Sequence, residues 1–306
     1  MRWGLVSTAR INDAVIGGAR ESDAVEIVAV ASRDGSRARA YARDKGIPRS
    51  HGSYEDLLAD DDVDAVYIGL PNGLHVEWAI KSLEAGKHVL VEKPFSPRAS
   101  EVERAFDVAA ERGLVLSEAF MWRHAPQTRR LVELLPEIGE VRLVRATFSF
   151  PLDRPGDVRW EPALEGGSLM DVGCYCVSGI RLLCGEPADV AGFGIGDGVD
   201  SRFAGTLRFA SGALATFDCG FDLPNRDALE VVGADGTLFL DDPWHGREPV
   251  IEVRRADKVE RVEAARANAY RLELEDVSAA AREGREPLLG RDDAVGQARV
   301  LEALLS

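Results

Sequence analysis

Histidine, cysteine and basic side chains are scarce in this chain, and long uninterrupted apolar runs are missing. Five histidines and four cysteines in 306 residues offer little material for a metal centre. The cysteines, Cys174, Cys176, Cys184 and Cys219, form no C-x-x-C pair, and the histidines form no ligand cluster. That spacing fits neither a zinc site nor a disulfide framework, so reduced, mostly buried thiols and no metal are expected. No stretch approaches the roughly 18–20 apolar residues of a membrane span. The N-terminus runs into a strand-like segment without an apolar leader core, so a cytoplasmic protein is expected. Lys and Arg number 37 against 52 Asp and Glu, a formal net charge of −15. A field of that sign repels phosphate backbones and anionic lipid, which speaks against nucleic acid and membrane surfaces as partners. One local cluster of cations can still hold a small anionic cofactor.

What is present is a globular composition, 45% hydrophobic and 29% charged, in a chain long enough for about two domains. The first 120 residues alternate short apolar runs with helix-like segments. Strand-like runs are Trp3–Val6, Glu26–Ala31, Ala65–Leu70, His88–Val91 and Val115–Glu118. Helical ones are Ile11–Arg20, Ser36–Lys45, Tyr54–Ala59, His75–Ala85 and Ser100–Arg112. This order predicts βαβ units and a parallel sheet covered on both faces. From Glu140 the period becomes two, with further β-like runs at Arg202–Phe209, Ala213–Phe221, Ala228–Val232, Thr237–Leu240 and Ile251–Arg255. A mainly antiparallel sheet with helices on one face is expected, with helices near Gly167–Cys184, Asn268–Glu283 and Asp292–Leu305. The expected domains are residues 1–121 and 122–306. The last helix, residues 292–305, carries Val295, Ala298, Val300, Leu301, Leu304 and Leu305 as a wide apolar stripe and is expected to pack near the domain junction.

Four segments offer chemistry. The first strand-to-helix turn is the natural anion site of such a sheet. It reads Gly4-Leu5-Val6-Ser7-Thr8-Ala9-Arg10-Ile11-Asn12, with Ser7, Ala9 and Asn12 where G-x-G-x-x-G has its glycines. Small side chains at 7 and 9 still admit a pyrophosphate, although an ordinary turn explains the loop equally well. After the second strand stand Ser32, Arg33 and Asp34, with Arg37 one helical turn on. An acid there reads the 2′-hydroxyl of NAD, whereas an Arg beside a hydroxyl suits the 2′-phosphate of NADP. Asp34 leaves a ribose contact open. Third, His88–Pro94 ends a strand on Glu92-Lys93-Pro94 at the ligand-binding edge, where Lys93 can donate to a substrate oxygen and lower a neighbouring pKa. Fourth, Gly166–Tyr175 places Asp171 and Tyr175 four apart on one helix face. The phenol, with an intrinsic pKa near ~10, needs a cation such as Lys93 to move a proton near neutral pH.

In that combination and order, the chain resembles the glucose–fructose oxidoreductase/inositol dehydrogenase (Gfo/Idh/MocA) family along essentially its whole length. It looks most like the branch of NADP-dependent D-xylose and dihydrodiol dehydrogenases. The matching stretches are Trp3–Ile11, Gly69–Asn72 with His75, Ala85–Pro94, Glu118–Arg123 and Gly166–Tyr175. The resemblance implies a Rossmann-type dinucleotide-binding domain over residues 1–121 and a substrate-binding and dimerisation domain over residues 122–306. It also implies hydride transfer between NADP and a carbon bearing hydroxyl or carbonyl on a sugar, polyol or cyclic diol, with NAD the less favoured cofactor. By analogy Lys93 and Tyr175 form the catalytic pair and Asp171 orients substrate. Cofactor contacts fall to Ser7, Thr8, Ala9, Arg10, Ile11, Ser32, Arg33, Arg37, Leu70, Pro71, Asn72, His75, Glu92 and Lys93, and to Trp122 and Arg123 at the nicotinamide–substrate pocket. The open sheet face implies a homodimer or a dimer of dimers. Many family members carry His four residues after the Asp, where this chain has Tyr175. The competing functions are a non-catalytic NADP sensor and an enzyme that oxidises its substrate transiently without net redox change.

Overall fold

The computed structural model describes residues 1–154 and 156–306. They form two compact units, one of Met1–Met121 with Asn268–Val295, the other of Trp122–Ala267 with Gly296–Ser306.

The first unit is a six-stranded sheet of β1 (Arg2–Val6), β2 (Glu26–Ala31), β3 (Arg49–His51), β4 (Ala65–Ile68), β5 (His88–Glu92) and β6 (Leu116–Ala119), in the order β3-β2-β1-β4-β5-β6. Every pairing is parallel. Val66, Tyr67, Ile68, Leu90 and Val91 are fully buried, as expected for strands covered on both faces. The crossover helices are α1 (Asn12–Arg20), α2 (Gly35–Lys45), α3 (Tyr54–Leu58), α4 (His75–Glu84) and α5 (Ala99–Arg112). Strand order reverses between β1 and β4, and such switch points open a ligand crevice beyond the carboxyl ends of the strands.

A further helix, α8 (Ala269–Glu283), also belongs here. Its Leu274 and Val277 join the core of Val15, Ile16 and Ala19 on α1. A Cβ on Gly18 would lie 2.6 Å from Arg271 N, so α1 and α8 meet backbone to backbone. Trp3 Nε1 donates to Ser278 Oγ at 3.2 Å. The sequence reading placed residues 268–283 with the second domain. An apolar stripe in the sequence announces that a helix must dock, but not on which partner.

The second unit is an eight-stranded sheet of β7 (Val141–Ser149), β8 (Pro187–Ile195), β9 (Arg202–Phe209), β10 (Leu214–Gly220), β11 (Arg226–Gly233), β12 (Thr237–Leu240), β13 (Val250–Arg255) and β14 (Lys258–Glu263). Its order is β14-β13-β12-β11-β7-β10-β9-β8. β7 and β10 pair in parallel; the other pairs are antiparallel. β9 shows the period-two pattern plainly, with Phe203, Leu207 and Phe209 inward and Arg202, Thr206 and Arg208 outward. The edge strands β8 and β14, and α6 (Pro126–Leu134), were absent from the sequence reading. Half-exposed edges lack the apolar alternation that reveals a strand.

The inner sheet face is covered by the helical stretch Pro162–Cys184, which is apolar and long enough to cross a membrane by composition alone but is 78% buried within the protein. The sequence predicts one α-helix over Gly167–Cys184. The structure instead has a π-turn over Leu169–Gly173 followed by α7 (Cys174–Cys184). Two glycines allow the close seating. A Cβ on Gly173 would lie 2.8 Å from Cys219 Sγ on β10, and one on Gly179 would lie 2.9 Å from Trp244 Cη2. The last helix, α9 (Arg291–Leu305), buries Val295, Ala298, Val300, Leu301 and Leu304, while Leu305 is half exposed. Its Gln297 donates to Cys174 O at 2.8 Å and accepts from Arg181 at 3.3 Å.

Gly179→Ala weighs two effects. Alanine gains up to about 1 kcal/mol over glycine inside a helix, but overpacking a filled core costs roughly 1–3 kcal/mol. The variant should lower the urea midpoint and alter the near-UV circular dichroism of Trp244. An unchanged or raised midpoint would contradict the close packing of α7 on that indole.

Candidate active site

The turn after β1 lacks glycine but keeps a glycine's backbone. Ser7 sits at φ 144°, a region L side chains rarely adopt. Such a residue costs of the order of 1–3 kcal/mol and persists only where its surroundings hold it. Here Ser7 Oγ donates to Gly69 O at 2.9 Å and accepts from Ala9 N at 3.2 Å. The buried Asn12 donates from Nδ2 to Ser7 O at 2.9 Å. Three side-chain bonds therefore fix the turn that G-x-G-x-x-G builds from glycine. Thr8, Ala9 and Ile11 are half-buried around it and Arg10 is exposed.

Beyond β2, Ser32 is buried and its Oγ accepts from Asp34 N at 3.3 Å. Asp34 is the N-cap of α2: its Oδ1 accepts from Ser36 N at 2.8 Å, Ser36 Oγ at 2.6 Å and Arg37 N at 3.3 Å. The Ser36 hydroxyl and these amides hold its pKa below the usual carboxylate value. One oxygen of its carboxylate is thus engaged in capping the helix. Arg33 and Arg37 are exposed, and the charge of both acts on the phenol of the buried Tyr54. Burial raises that phenol's pKa against the pull of the two guanidiniums. A neutral hydroxyl and two guanidiniums therefore gather beyond β2, a donor set that matches a phosphate monoester.

At the ends of β4 and β5 the bonding centres on His75. Its Nε2 lies 2.8 Å from Leu70 O and its Nδ1 lies 2.8 Å from Pro94 O. The ring is completely buried, and burial lowers its pKa to about 4 although both carbonyls favour the charged form. The resemblance placed His75 among the cofactor contacts. The structure shows a clamp joining the segment before Pro71 and Asn72 to the segment just after Lys93. Leu70, Pro71, Asn72 and Lys93 are half-buried. Glu92 accepts from the buried Tyr67 hydroxyl and, at 3.2 Å, from Lys93 N. Burial also drives the pKa of Glu273, which faces Glu92, well above the usual range.

In the second unit, Asp171 lies on the π-turn and Tyr175 in the first turn of α7. The inserted π geometry breaks the regular four-residue spacing expected for this pair; such turns recur at functional sites. Arg159, unremarked in the sequence, donates from Nε to Asp171 Oδ2 at 2.8 Å and pairs with Asp157 at 3.1 Å. It stands on the short helical turn Val158–Trp160. The Tyr175 ring meets Phe148 edge-on at 5.3 Å and Trp244 at 6.0 Å. Trp122 is only 1% exposed, packed edge-on against Trp244 at 5.2 Å, with Arg123 over its ring at 5.8 Å. The Trp122 indole, expected to line the pocket, thus packs into the aromatic wall with Trp244.

Comparison with known proteins agrees with this geometry. The family model described as the oxidoreductase family with an NAD-binding Rossmann fold matches residues 1–120, and the GFO/IDH/MocA C-terminal domain matches residues 128–239. A D-xylose 1-dehydrogenase (NADP(+)) of Haloferax volcanii is 40% identical, over 99% of this chain and 96% of its own. A trans-1,2-dihydrobenzene-1,2-diol dehydrogenase of Sus scrofa is 35% identical, over 82% of this chain and 78% of its own. Among solved structures, a 3-ketoreductase from Actinomadura kijaniata in complex with NADP and TDP-benzene superposes with a TM-score of 0.93. It is 31% identical and is covered over 97% of its length by 100% of this chain. With both halves of the chain matched in sequence and the fold matched throughout, the protein belongs to the GFO/IDH/MocA oxidoreductase family.

Proposed function

We propose that the protein is an NADP-dependent dehydrogenase or reductase acting on the CH–OH or carbonyl carbon of a sugar, polyol or cyclic diol. The cluster of Arg33, Arg37 and Tyr54 beyond β2, with Asp34 locked as a helix cap, carries the cofactor half of this reading. The named activities of the relatives, on a pentose, an aromatic dihydrodiol and a ketosugar, support the substrate class. NADP, when bound, supplies or accepts the hydride. The turn held by Ser7 receives the pyrophosphate, and Leu70, Pro71 and Asn72 border the nicotinamide ribose. Lys93 binds the reacting oxygen and Tyr175 gives or takes its proton. Asp171, held by Arg159, orients the substrate. An aspartate is ionised near neutral pH unless strongly desolvated, which leaves the phenol as the better acid.

We further place the protein in the cytoplasm, a reading supported by Cys174, Cys176, Cys184 and Cys219 forming no disulfide. We propose a homodimer, or a dimer of dimers, through the outer face of the second sheet. Phe193 and Ile195 on β8 are 85% and 59% exposed there, and Leu214 on β10 is 51% exposed. Register places Phe193 beside Ala204 and Ile195 beside Arg202 on that outer face. A patch of this kind favours burial in a partner.

Three outcomes follow. Arg33→Ala should weaken NADP by roughly 1–3 kcal/mol, the scale of a lost charge-assisted bond, and NAD much less; equal losses would count against phosphate reading. With aldoses, polyols and cyclic diols followed at the nicotinamide absorbance, the wild type should turn over at least one substrate. Tyr175→Phe should then lower kcat by ~10²–10⁴ with NADP affinity near normal. Retained activity would remove Tyr175 as the proton carrier, and NADP binding without any turnover would favour a sensor. Light scattering at micromolar concentration should give at least twice the monomer mass; a monomer mass would remove the dimer.

A further inference from the structure

Away from the four sequence motifs, three titratable side chains from separate segments converge. Asp227 lies on β11, while Asp242 and His245 follow β12; their ligand-type atoms all lie within 4.8 Å of one another. His245 Nδ1 lies 3.2 Å from Asp227 Oδ2 and 3.5 Å from Asp242 Oδ1. Asp242 also accepts from Arg247 N at 2.7 Å, with the Arg247 guanidinium 3.9 Å away. Arg247 O in turn accepts from Arg266 at 2.8 Å. The carboxylates are largely buried, with side-chain exposures of 19% and 16%, while the imidazole is 36% exposed. Two carboxylates withdrawn from water need cationic partners. A protonated His245 together with Arg247 brings the cluster to neutrality.

The location of this cluster gives it a use. Asp227 pairs across the strands with Phe148 on β7. The Phe148 ring meets Tyr175 at 5.3 Å and His245 at 5.6 Å, both edge-on, and stacks on Trp244 at 6.4 Å. The imidazole and the phenol therefore both pack against one aromatic ring, that of Phe148. The hydrogen bond of the His245 ring is made at Nδ1, which faces the aspartates, and the ring is partly open to solvent. We infer that His245 is a substrate-binding, specificity-determining residue that donates from Nε2 to an acceptor oxygen of the substrate away from the reacting carbon. This rests on the proposed dehydrogenase reading of Tyr175 and extends it. Asp227 and Asp242 are positioning residues: they fix the ring's orientation and its charge.

The electrostatics agree with the geometry. Burial opposes the charge on His245, but the hydrogen bond to Asp227 and the ion pair with Asp242 outweigh it and raise the pKa, against a smaller opposing push from Arg247. Asp242 is held down at about 2 despite its burial, chiefly by His245 and the Arg247 amide. Desolvation raises Asp227, the more weakly anchored carboxylate. A donor that needs its proton should bind substrate well below the imidazole pKa and progressively worse above it.

The test is initial-rate kinetics of the intact protein at saturating NADP, with the best substrate of the aldose, polyol and cyclic diol panel, across a pH series. His245→Leu should raise KM by roughly 10–100-fold, the scale of a hydrogen bond from a charged donor, with kcat within about threefold. KM for NADP should stay unchanged. His245→Gln, which keeps an N–H donor, should recover part of the loss and make KM flat with pH. Wild-type KM should climb with pH, and Asp227→Asn should move that climb to lower pH. Circular dichroism melts confirm that each variant is folded. The inference is overturned if the folded Leu variant keeps KM within about twofold, or if its substrate and NADP KM values rise together. A wild type with no turnover on any substrate overturns the dehydrogenase reading and this inference with it; wild-type turnover with an unaffected His245→Leu overturns the inference alone.

Discussion

Everything proposed for the first unit depends on one backbone turn. A phosphate can approach the start of α1 only if the chain leaves β1 in a conformation that L residues avoid. Glycine adopts it at little steric cost. Ser7 adopts it at φ 144° under constraint from its bonds to Gly69 O and Ala9 N and from Asn12 holding its carbonyl. Because Gly69 lies just past the end of β4, the Ser7 hydroxyl also ties the β1 turn to the segment leading to Leu70, Pro71 and Asn72. The neutral His75 ring lies between Leu70 O and Pro94 O, each 2.8 Å from a ring nitrogen, and donates its single N–H to one of them. Three loops at the carboxyl edge of one parallel sheet are thereby joined by two buried polar side chains.

The parallel sheet was legible because its strands are buried on both faces and read as unbroken apolar runs; Glu26–Ala31 has the same limits in sequence and structure. β9 was equally plain, since one wet face and one dry face force strict alternation. The three-residue β3 and the half-exposed β8 and β14 carry neither signature. The return of α8 to the first unit was hidden for a different reason: Leu274 and Val277 declare a buried face, but their partners on α1 are some 250 residues away in sequence. The sequence also could not say which role Asp34 plays. Aspartate before a helix start suits both a ribose reader and an N-cap, and the bonds to Ser36 and Arg37 show the cap.

In the site, Lys93 follows its expected strand and Tyr175 lies on its expected helix, Asp171 stands on a π-turn instead, and the residues missed belong to no motif. Arg159 and His245 act through partners distant in sequence, Asp171 and Asp227, so their significance arises only when the chain folds. The same is true of the π-turn, at whose end Gly173 closely approaches Cys219 on β10. The aromatic wall of Phe148, Trp244 and Trp122 joins these elements. It gives Tyr175 a rigid neighbour on one side and His245 the same neighbour on the other. Rigid support of this kind is what holds reacting groups in register.

The central claim is that the end of β2 reads a phosphate rather than a ribose hydroxyl. Isothermal titration of the purified wild-type protein with NADP+ and with NAD+ under identical salt measures this most directly. NADP+ should bind at least about tenfold more tightly, the equivalent of one charge-assisted hydrogen bond, with the difference shrinking as salt screens the exposed guanidiniums. Equal affinities, or a preference for NAD+, would contradict the assignment of Arg33 and Arg37 to the 2′-phosphate.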